Sequence, residues 1–265
     1  MPTVQNNAIG IHYEVHGTGL PVVLLHGGTV DFKTNYAAFG WIKVLNEAGF
    51  QVIGLDFRGH GKSDKPHERA AYGTAALASD ALAVLDHLGI AQAAVVGYSI
   101  GSVVALHLLQ TQARRFTRAV LVGTGDGLIG EPPHTFALLL PALAQVLDRS
   151  EYPKDLPKHL SAYWNFVTAT GGDREALRAL AAAEFPPLSA ADAAAITVPT
   201  LVISGEKDLV LGQGPRLAAV LGQGQYLQMA GADHFSLAAD AAVKAAVTDF
   251  LKQDADAESR SAGAV

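Results

Sequence analysis

A serine between two glycines is the residue of this chain best placed for nucleophilic chemistry. Residues 97–101 read GYSIG, a G-x-S-x-G pattern centred on Ser99. The apolar run 93–96 before it predicts a buried strand, and the mostly apolar run 102–110 after it predicts a helix. On such a turn the serine hydroxyl projects above the sheet, and the flanking glycines make the tight turn possible. The N–H groups at the start of the helix favour negative charge that develops nearby.

A serine hydroxyl is a weak nucleophile at neutral pH, so it needs a base within reach and a carboxylate that orients the base. Residues 201–204 predict a strand that leads into Asp208. Residues 225–228 predict the last strand, which leads into His234. Because parallel strands end at the same edge of a sheet, we expect Asp208 and His234 to converge on Ser99.

Strands and helices must alternate to hold these residues, and most of the chain shows that alternation. It predicts a largely parallel sheet covered by helices. Strands are predicted at residues 9–15, 22–25, 52–55, 93–96, 119–122, 201–204 and 225–228. Helices are predicted at residues 36–47, 74–88, 102–110 and 241–251.

The alternation stops between residues 123 and 197, where only helices are predicted. These helices are expected at residues 136–147, 160–168, 174–184 and 189–195. We interpret residues 124–197 as a helical cap inserted into a core made of residues 1–123 and 198–252. The small, polar and charged residues 253–265 predict a disordered tail.

Composition limits the function classes. The chain has 265 residues, of which 49% are apolar, and this favours one large globular domain. The net charge of −6 without a basic stripe argues against nucleic acid as the partner. The absence of cysteine excludes disulfides, thiol nucleophiles and thiolate metal sites. We find neither a secretory signal nor an apolar run that could span a membrane, so we expect a cytoplasmic protein with no membrane partner.

Over residues 9–252 the chain resembles the α/β-hydrolase-fold serine hydrolases. Besides Ser99, Asp208 and His234 in the family's order, the resemblance includes LLHGG at 24–28 and DFRGHGKSD at 56–64. It implies a mostly parallel eight-stranded sheet flanked by helices, with the helical cap inserted after the sixth strand.

The resemblance also implies roles for individual residues. The backbone N–H groups of Gly28 and Ile100 would form the oxyanion hole, with Thr29 as the second choice for the first donor. His26 would shape the oxyanion loop, and His60 would be structural. Some family members place the acid after the strand at 119–122, which makes Asp126 the competitor of Asp208.

The remaining titratable residues receive less specific interpretations. Asp233 precedes His234 and is interpreted as a loop carboxylate, because neighbouring side chains point in different directions. Six further histidines lack the spacing of metal ligands and are interpreted as surface or core residues: His12, His16, His87, His107, His134 and His159. Residues 125–130 match G-x-G-x-x-G, but two prolines follow where a dinucleotide-binding helix would continue. We therefore expect neither a metal nor another cofactor.

The expected activity is hydrolysis of a small to medium carboxylic ester through an acyl-enzyme on Ser99. C–C bond hydrolases, lactonases and perhydrolases of the family use the same three residues and stay open, as does a non-catalytic ligand receptor. Dehalogenases and epoxide hydrolases use an aspartate nucleophile, which disfavours them here. Apolar side chains of the cap predict either a pocket for an acyl or aryl group or the packing of the cap on the core: Leu138, Leu139, Leu140, Leu143, Trp164, Phe166 and Phe185.

Overall fold

An eight-stranded sheet forms the centre of the molecule in a computed structural model. The model describes residues 2–129, 135–149, 151, 155, 164–165 and 167–253, and only the backbone of 135–139. The strands are β1 (Thr3–Asn6), β2 (Ile9–His16), β3 (Leu20–Leu25), β4 (Phe50–Leu55), β5 (Ala93–Tyr98), β6 (Phe116–Val122), β7 (Thr200–Gly205) and β8 (Gly224–Met229). Their order is β1-β2-β4-β3-β5-β6-β7-β8. Only the β1–β2 and β2–β4 pairs are antiparallel, so the predicted mostly parallel sheet of eight strands is confirmed.

Helices cover both faces of the sheet because alternate strand residues are apolar on both sides. The α-helices are α1 (Phe32–Asn35), α2 (Trp41–Glu47), α3 (Thr74–His87), α4 (Ile100–Thr111), α5 (Thr135–Leu147), α6 (Arg174–Ala181), α7 (Ala190–Ala195), α8 (Pro215–Val220) and α9 (Ala241–Lys252). Val23 and Leu25 of β3 belong to the buried cluster that includes α3 and α4. Val22 and Leu24 belong to the opposite cluster, which includes α2 and α9.

Several local features differ from the predictions, among them helix α1, which was not predicted. The helix predicted at 36–47 is broken at Gly40, whose φ of 77° lies in the left-handed region and starts α2 afresh. Strand β1 was not predicted because it is a polar edge strand with only partial burial. Helix α8 was not predicted either; it is short and starts with Pro215, which suits the first helical turn.

The segment between β6 and β7 holds α5, α6 and α7, close to the helices predicted there at 136–147, 174–184 and 189–195. The helix predicted at 160–168 lies largely outside the described residues, as does the tail from residue 254 onward. The described part of this segment contains no β-strand, only an isolated β-bridge between Ile129 and Leu188. The division of the chain into a core and a cap stays a prediction.

Within the described part of the chain, no helix combines the length and the apolar character needed to cross a membrane. A cytoplasmic location stays a prediction.

Candidate active site

Ser99 lies on the sharp turn between β5 and α4. Its backbone has φ 54° and ψ −116°, a strained conformation for a residue with a side chain. The turn is held by a hydrogen bond of 2.9 Å from the N–H of Ser99 to the carbonyl of Val122. A Cβ at Gly97 would come within 2.4 Å of the carbonyl oxygen of Gly101. Helix α4 can therefore approach β5 only because glycine stands at this position.

Three side chains from the carboxyl ends of β5, β7 and β8 meet at this turn. The Oγ atom of Ser99 lies 3.0 Å from Nε2 of His234. The Nδ1 atom of His234 lies 2.8 Å from Oδ2 of Asp208. The loops that carry the last two residues are joined by a hydrogen bond of 2.8 Å from Lys207 N–H to the carbonyl of Ala232. A hydroxyl, an imidazole and a carboxylate thus form one continuous hydrogen-bonded path.

Asp208 is the carboxylate on this path, and the two competing carboxylates have other partners. Its Oδ1 atom accepts hydrogen bonds from the N–H groups of Val210 and Leu211, at 2.9 and 3.2 Å, while Oδ2 faces His234. Asp126 accepts a hydrogen bond from the N–H of Leu217 in α8. Asp233 accepts hydrogen bonds from two N–H groups in its own turn, at residues 235 and 236. The described geometry therefore favours Asp208 over both alternatives.

The loop after β3 brings Gly28 against the start of α4. A Cβ built at Gly28 would lie 3.5 Å from the side chain of Ile100, so the two residues are neighbours. The N–H of Ile100 belongs to the first turn of α4, where helix geometry leaves N–H groups without intrahelical acceptors. The loop is held by buried Asn35, whose Oδ1 accepts a hydrogen bond of 2.7 Å from the N–H of Gly27.

The rings of His26 and His60 both contact the backbone of this loop. His26 donates from Nδ1 to the carbonyl of Gly27 at 2.7 Å and accepts at Nε2 from the N–H of Phe57 at 3.0 Å. His60 lies 3.0 Å from the carbonyl of Gly28 through Nε2 and 3.0 Å from the carbonyl of Arg58 through Nδ1. Burial lowers the pKa of His26 to about 3 and also lowers the pKa of His60, so both rings stay neutral at physiological pH. Neither ring contacts Ser99 by hydrogen bond.

The other histidines interpreted from the sequence lie away from Ser99 or outside the described residues. His12 and His16 hydrogen-bond to Glu14, and His87 packs its edge on Tyr13. Burial lowers the pKa of His107 on α4. Residues 134 and 159 are not among those described. Over the described ranges, no three His, Cys, Asp or Glu side chains gather as metal ligands would.

Three of the apolar cap residues named from the sequence pack into the core. Leu140, Leu143 and Phe185 belong to the buried cluster on the α3–α4 side of the sheet. Leu140 and Phe185 also line an apolar groove of about 410 Å³ between α5 and the end of α6, with Arg69 at its edge. Trp164 donates a hydrogen bond to the carbonyl of Arg149. Residue 166 and the side chains at 138 and 139 lie outside the described part of the chain.

Sequence reasoning missed one residue that contacts this site. The hydroxyl of Tyr98 donates a hydrogen bond to the backbone carbonyl of His234. The two rings also meet edge to face, with centroids 5.9 Å apart. Tyr98 occupies the variable position before Ser99 in the G-x-S-x-G pattern, which carries no signal for such a contact.

Comparison with known proteins agrees with this fold. The α/β hydrolase fold family matches residues 21–193, and the chain belongs to that family. The AB hydrolase superfamily protein YisY of Bacillus subtilis (strain 168) is 27% identical over 211 residues, which cover 73% of this chain and 76% of that protein. Epoxide hydrolase 3 of Siraitia grosvenorii is 32% identical over 103 residues. That match covers 39% of this chain and only 32% of the epoxide hydrolase.

Among solved structures, the enol-lactonase from Burkholderia xenovorans LB400 superposes with a TM-score of 0.74 at 26% identity. The match covers 95% of this chain and 100% of the lactonase. The similarity in fold therefore extends over nearly the whole chain.

Proposed function

We propose that this protein is a serine hydrolase that cleaves small to medium carboxylic esters through an acyl-enzyme intermediate. One observation carries the proposal: Ser99, His234 and Asp208 lie on one hydrogen-bonded path, with distances of 3.0 and 2.8 Å. A nucleophile, its base and the group that orients the base are the three parts that such catalysis needs.

In the first half-reaction, Nε2 of His234 removes the proton of Ser99 as Oγ attacks the ester carbonyl. The carbonyl oxygen becomes an oxyanion, which the N–H groups of Gly28 and Ile100 stabilise by about 3–4 kcal/mol each. Asp208 holds the proton of Nδ1 in place and stabilises the imidazolium that forms. When the tetrahedral intermediate collapses, the imidazolium gives its proton to the departing alcohol oxygen and the acyl group stays on Ser99.

In the second half-reaction, water replaces the alcohol. His234 removes a proton from the water as its oxygen attacks the acyl carbonyl, and the same two N–H groups stabilise the second oxyanion. Collapse of this intermediate breaks the bond to Ser99, returns a proton to Oγ and releases the carboxylic acid. The cycle is complete without any group besides protein and water.

A cyclic ester is the second candidate substrate. The structural similarity to an enol-lactonase over the whole length of that protein favours it. The same attack would open a lactone, but the alcohol would stay attached to the acyl group, so hydrolysis of the acyl-enzyme would release one hydroxy acid. C–C bond cleavage and perhydrolysis would use the same three residues. Epoxide hydrolysis is disfavoured because position 99 holds serine instead of the aspartate of those enzymes.

Hydrolysis of p-nitrophenyl esters from acetate to decanoate tests the proposal. We expect turnover by the wild type and its loss in Ser99→Ala, because no other residue replaces the nucleophile. Ser79→Ala is the matched control, since it removes a hydroxyl on α3 that hydrogen-bonds to Asn6 and Ala76, not to the site. Wild-type protein that neither turns over any ester nor reacts with a fluorophosphonate at Ser99 would contradict the proposal and favour a receptor.

A further inference from the structure

We propose that Tyr98 is a positioning residue that fixes the backbone of His234 relative to Ser99. The inference rests on the proposed function, since it concerns the base of that reaction. Its observation is a single hydrogen bond, from the Tyr98 hydroxyl to the carbonyl oxygen of His234. The residue next to the nucleophile is thereby tied to the backbone of the base, across 136 positions of the sequence.

The donor and acceptor of this bond are fixed by chemistry. A carbonyl oxygen can only accept, so the phenol must donate. Burial and the nearby carboxylate of Asp208 raise the pKa of Tyr98, so its hydroxyl keeps the proton over the working pH range. Tyr98 is 6% exposed, and water therefore competes little for its hydroxyl.

The ring of Tyr98 adds a steric constraint to the hydrogen bond. Its edge meets the His234 ring at an interplanar angle of 64°. Gly123 lies beside both rings: a Cβ there would be 3.3 Å from the His234 ring and 3.7 Å from the Tyr98 ring. The imidazole is therefore enclosed between the end of β5 and the end of β6.

The hydrogen bonds of the His234 ring do not fix its own backbone, and the hydrogen bond from Lys207 holds the loop two residues earlier, at Ala232. Asp208 and Ser99 contact only the ring nitrogens, and the ring can follow them with a displaced loop. Tyr98 instead holds the loop at the residue that carries the ring. If the loop and the Ser99 turn move together, the distance from Nε2 to Oγ stays constant through both half-reactions. Misplacement of reacting groups by about 1 Å can lower a rate by roughly 10²-fold.

Tyr98→Phe tests this role because it keeps the ring and removes only the hydroxyl. Tyr72→Phe is the matched control: Tyr72 is 7% exposed and also donates to one backbone carbonyl, that of Pro66, at 2.6 Å. Both variants should lose a similar amount of thermal stability. We expect Tyr98→Phe to lower kcat and the rate of fluorophosphonate labelling of Ser99 by roughly tenfold or more, with KM within about twofold. Tyr72→Phe should leave all three within about twofold.

Replacement of Tyr98 by p-aminophenylalanine tests whether another hydrogen-bond donor at this position restores the activity. This side chain retains an N–H donor at the same position, and it should restore most of kcat. Equal labelling rates of Tyr98→Phe and wild type would overturn the inference, as would a loss in the aminophenyl variant as large as in Tyr98→Phe. If Tyr98→Phe does not fold, the aminophenyl variant decides alone. Activity near that of the wild type would support the inference, and activity well below it would overturn the inference. Failure of the wild type to label would instead refute the proposed function.

Discussion

The imidazole of His26 is neutral and lies at a fully buried position, where a positive charge would be unfavourable. It is fully buried beside the loop after β3, and both ring nitrogens have backbone partners. A proton on Nε2 would face the N–H of Phe57, which already points at that nitrogen. Burial and the neighbouring His60 ring lower the pKa of His26 to about 3, so the ring stays neutral down to about that pH.

The pKa of His26 predicts acid sensitivity of the fold. Below the ordinary histidine value of 6.5, the unfolded chain takes up a proton that the folded protein binds only near pH 3. The contribution of His26 to stability is therefore complete above pH 6.5 and declines as the pH falls, by about 1.4 kcal/mol per pH unit. We expect the free energy of unfolding, measured in urea between pH 7 and 5, to fall less steeply in His26→Gln. Parallel lines for the variant and wild type would contradict this.

The positions of Ser99, Asp208 and His234 at one edge could be predicted from sequence because each follows a predicted strand. Parallel strands bring their carboxyl ends together whatever their order in the sheet. The sequence already favours Asp208 over its competitor Asp126, and the structure adds that Asp126 accepts a hydrogen bond from the N–H of Leu217 in α8. The contact of Tyr98 with His234 was not predictable, because it depends on how the last loop folds back over β5.

At the scale of elements, glycine decides where helices can start and how closely they pack. A Cβ at Gly101 would come within 2.1 Å of the carbonyl oxygen of Leu25 and 2.8 Å of that of His26. Both atoms are backbone and cannot rotate away. Gly40 has no atom within 4 Å of an added Cβ and needs glycine only for its positive φ.

These two glycines predict different costs for the same substitution. Gly101→Ala must push α4 away from β3, and we expect it to lower the free energy of unfolding by about 3 kcal/mol or more and to abolish labelling of Ser99. Gly40→Ala should cost about 1–2 kcal/mol and leave labelling intact. Chemical denaturation and the labelling rate of both variants check this. If Gly101→Ala were as stable as Gly40→Ala, α4 would be able to move away from β3 at little cost in free energy, and the prediction would be wrong.

The same element-scale features explain which parts of the fold the sequence predicts well. A strand such as β5, which is buried at every position and mostly apolar, is identified directly by its residues. The helix expected at 36–47 has continuous helical periodicity, yet the left-handed Gly40 interrupts it. Apolar periodicity does not report φ, and a glycine inside a helical pattern is compatible with either outcome.

For the whole molecule, one buried ion pair joins parts of the chain that are distant in sequence. Arg58 donates to Asp80 from Nε at 2.9 Å and from Nη2 at 2.6 Å, and the Asp80 side chain is fully buried. Asn6 of β1 donates to the same carboxylate at 2.8 Å. The pair therefore connects the antiparallel edge of the sheet, the loop after β4 and α3.

Asp80→Ala should be strongly destabilising because it leaves the Arg58 guanidinium buried without its counter-ion. We expect a loss of about 3–5 kcal/mol in the free energy of unfolding. Asp86→Ala is the control on the same helix: Asp86 pairs with Arg115 at 2.7 Å, but its side chain is 63% exposed. That pair should contribute at most about 1 kcal/mol. Urea denaturation of both variants measures the difference, and similar losses would refute the role of burial.

The separation of Ser99 from its base in the chain has a consequence for how reactivity arises during folding. His234 follows Ser99 by 135 residues and reaches it only after β7 and β8 have added to the sheet beside β6. Contacts between residues so distant in sequence are slow to form, because closing the long intervening chain costs entropy. A chain folded only as far as β6 would carry Ser99 without His234. On the proposed mechanism, such a chain could not take an acyl group from an ester, and the hydroxyl would become reactive only once the last two strands are in place.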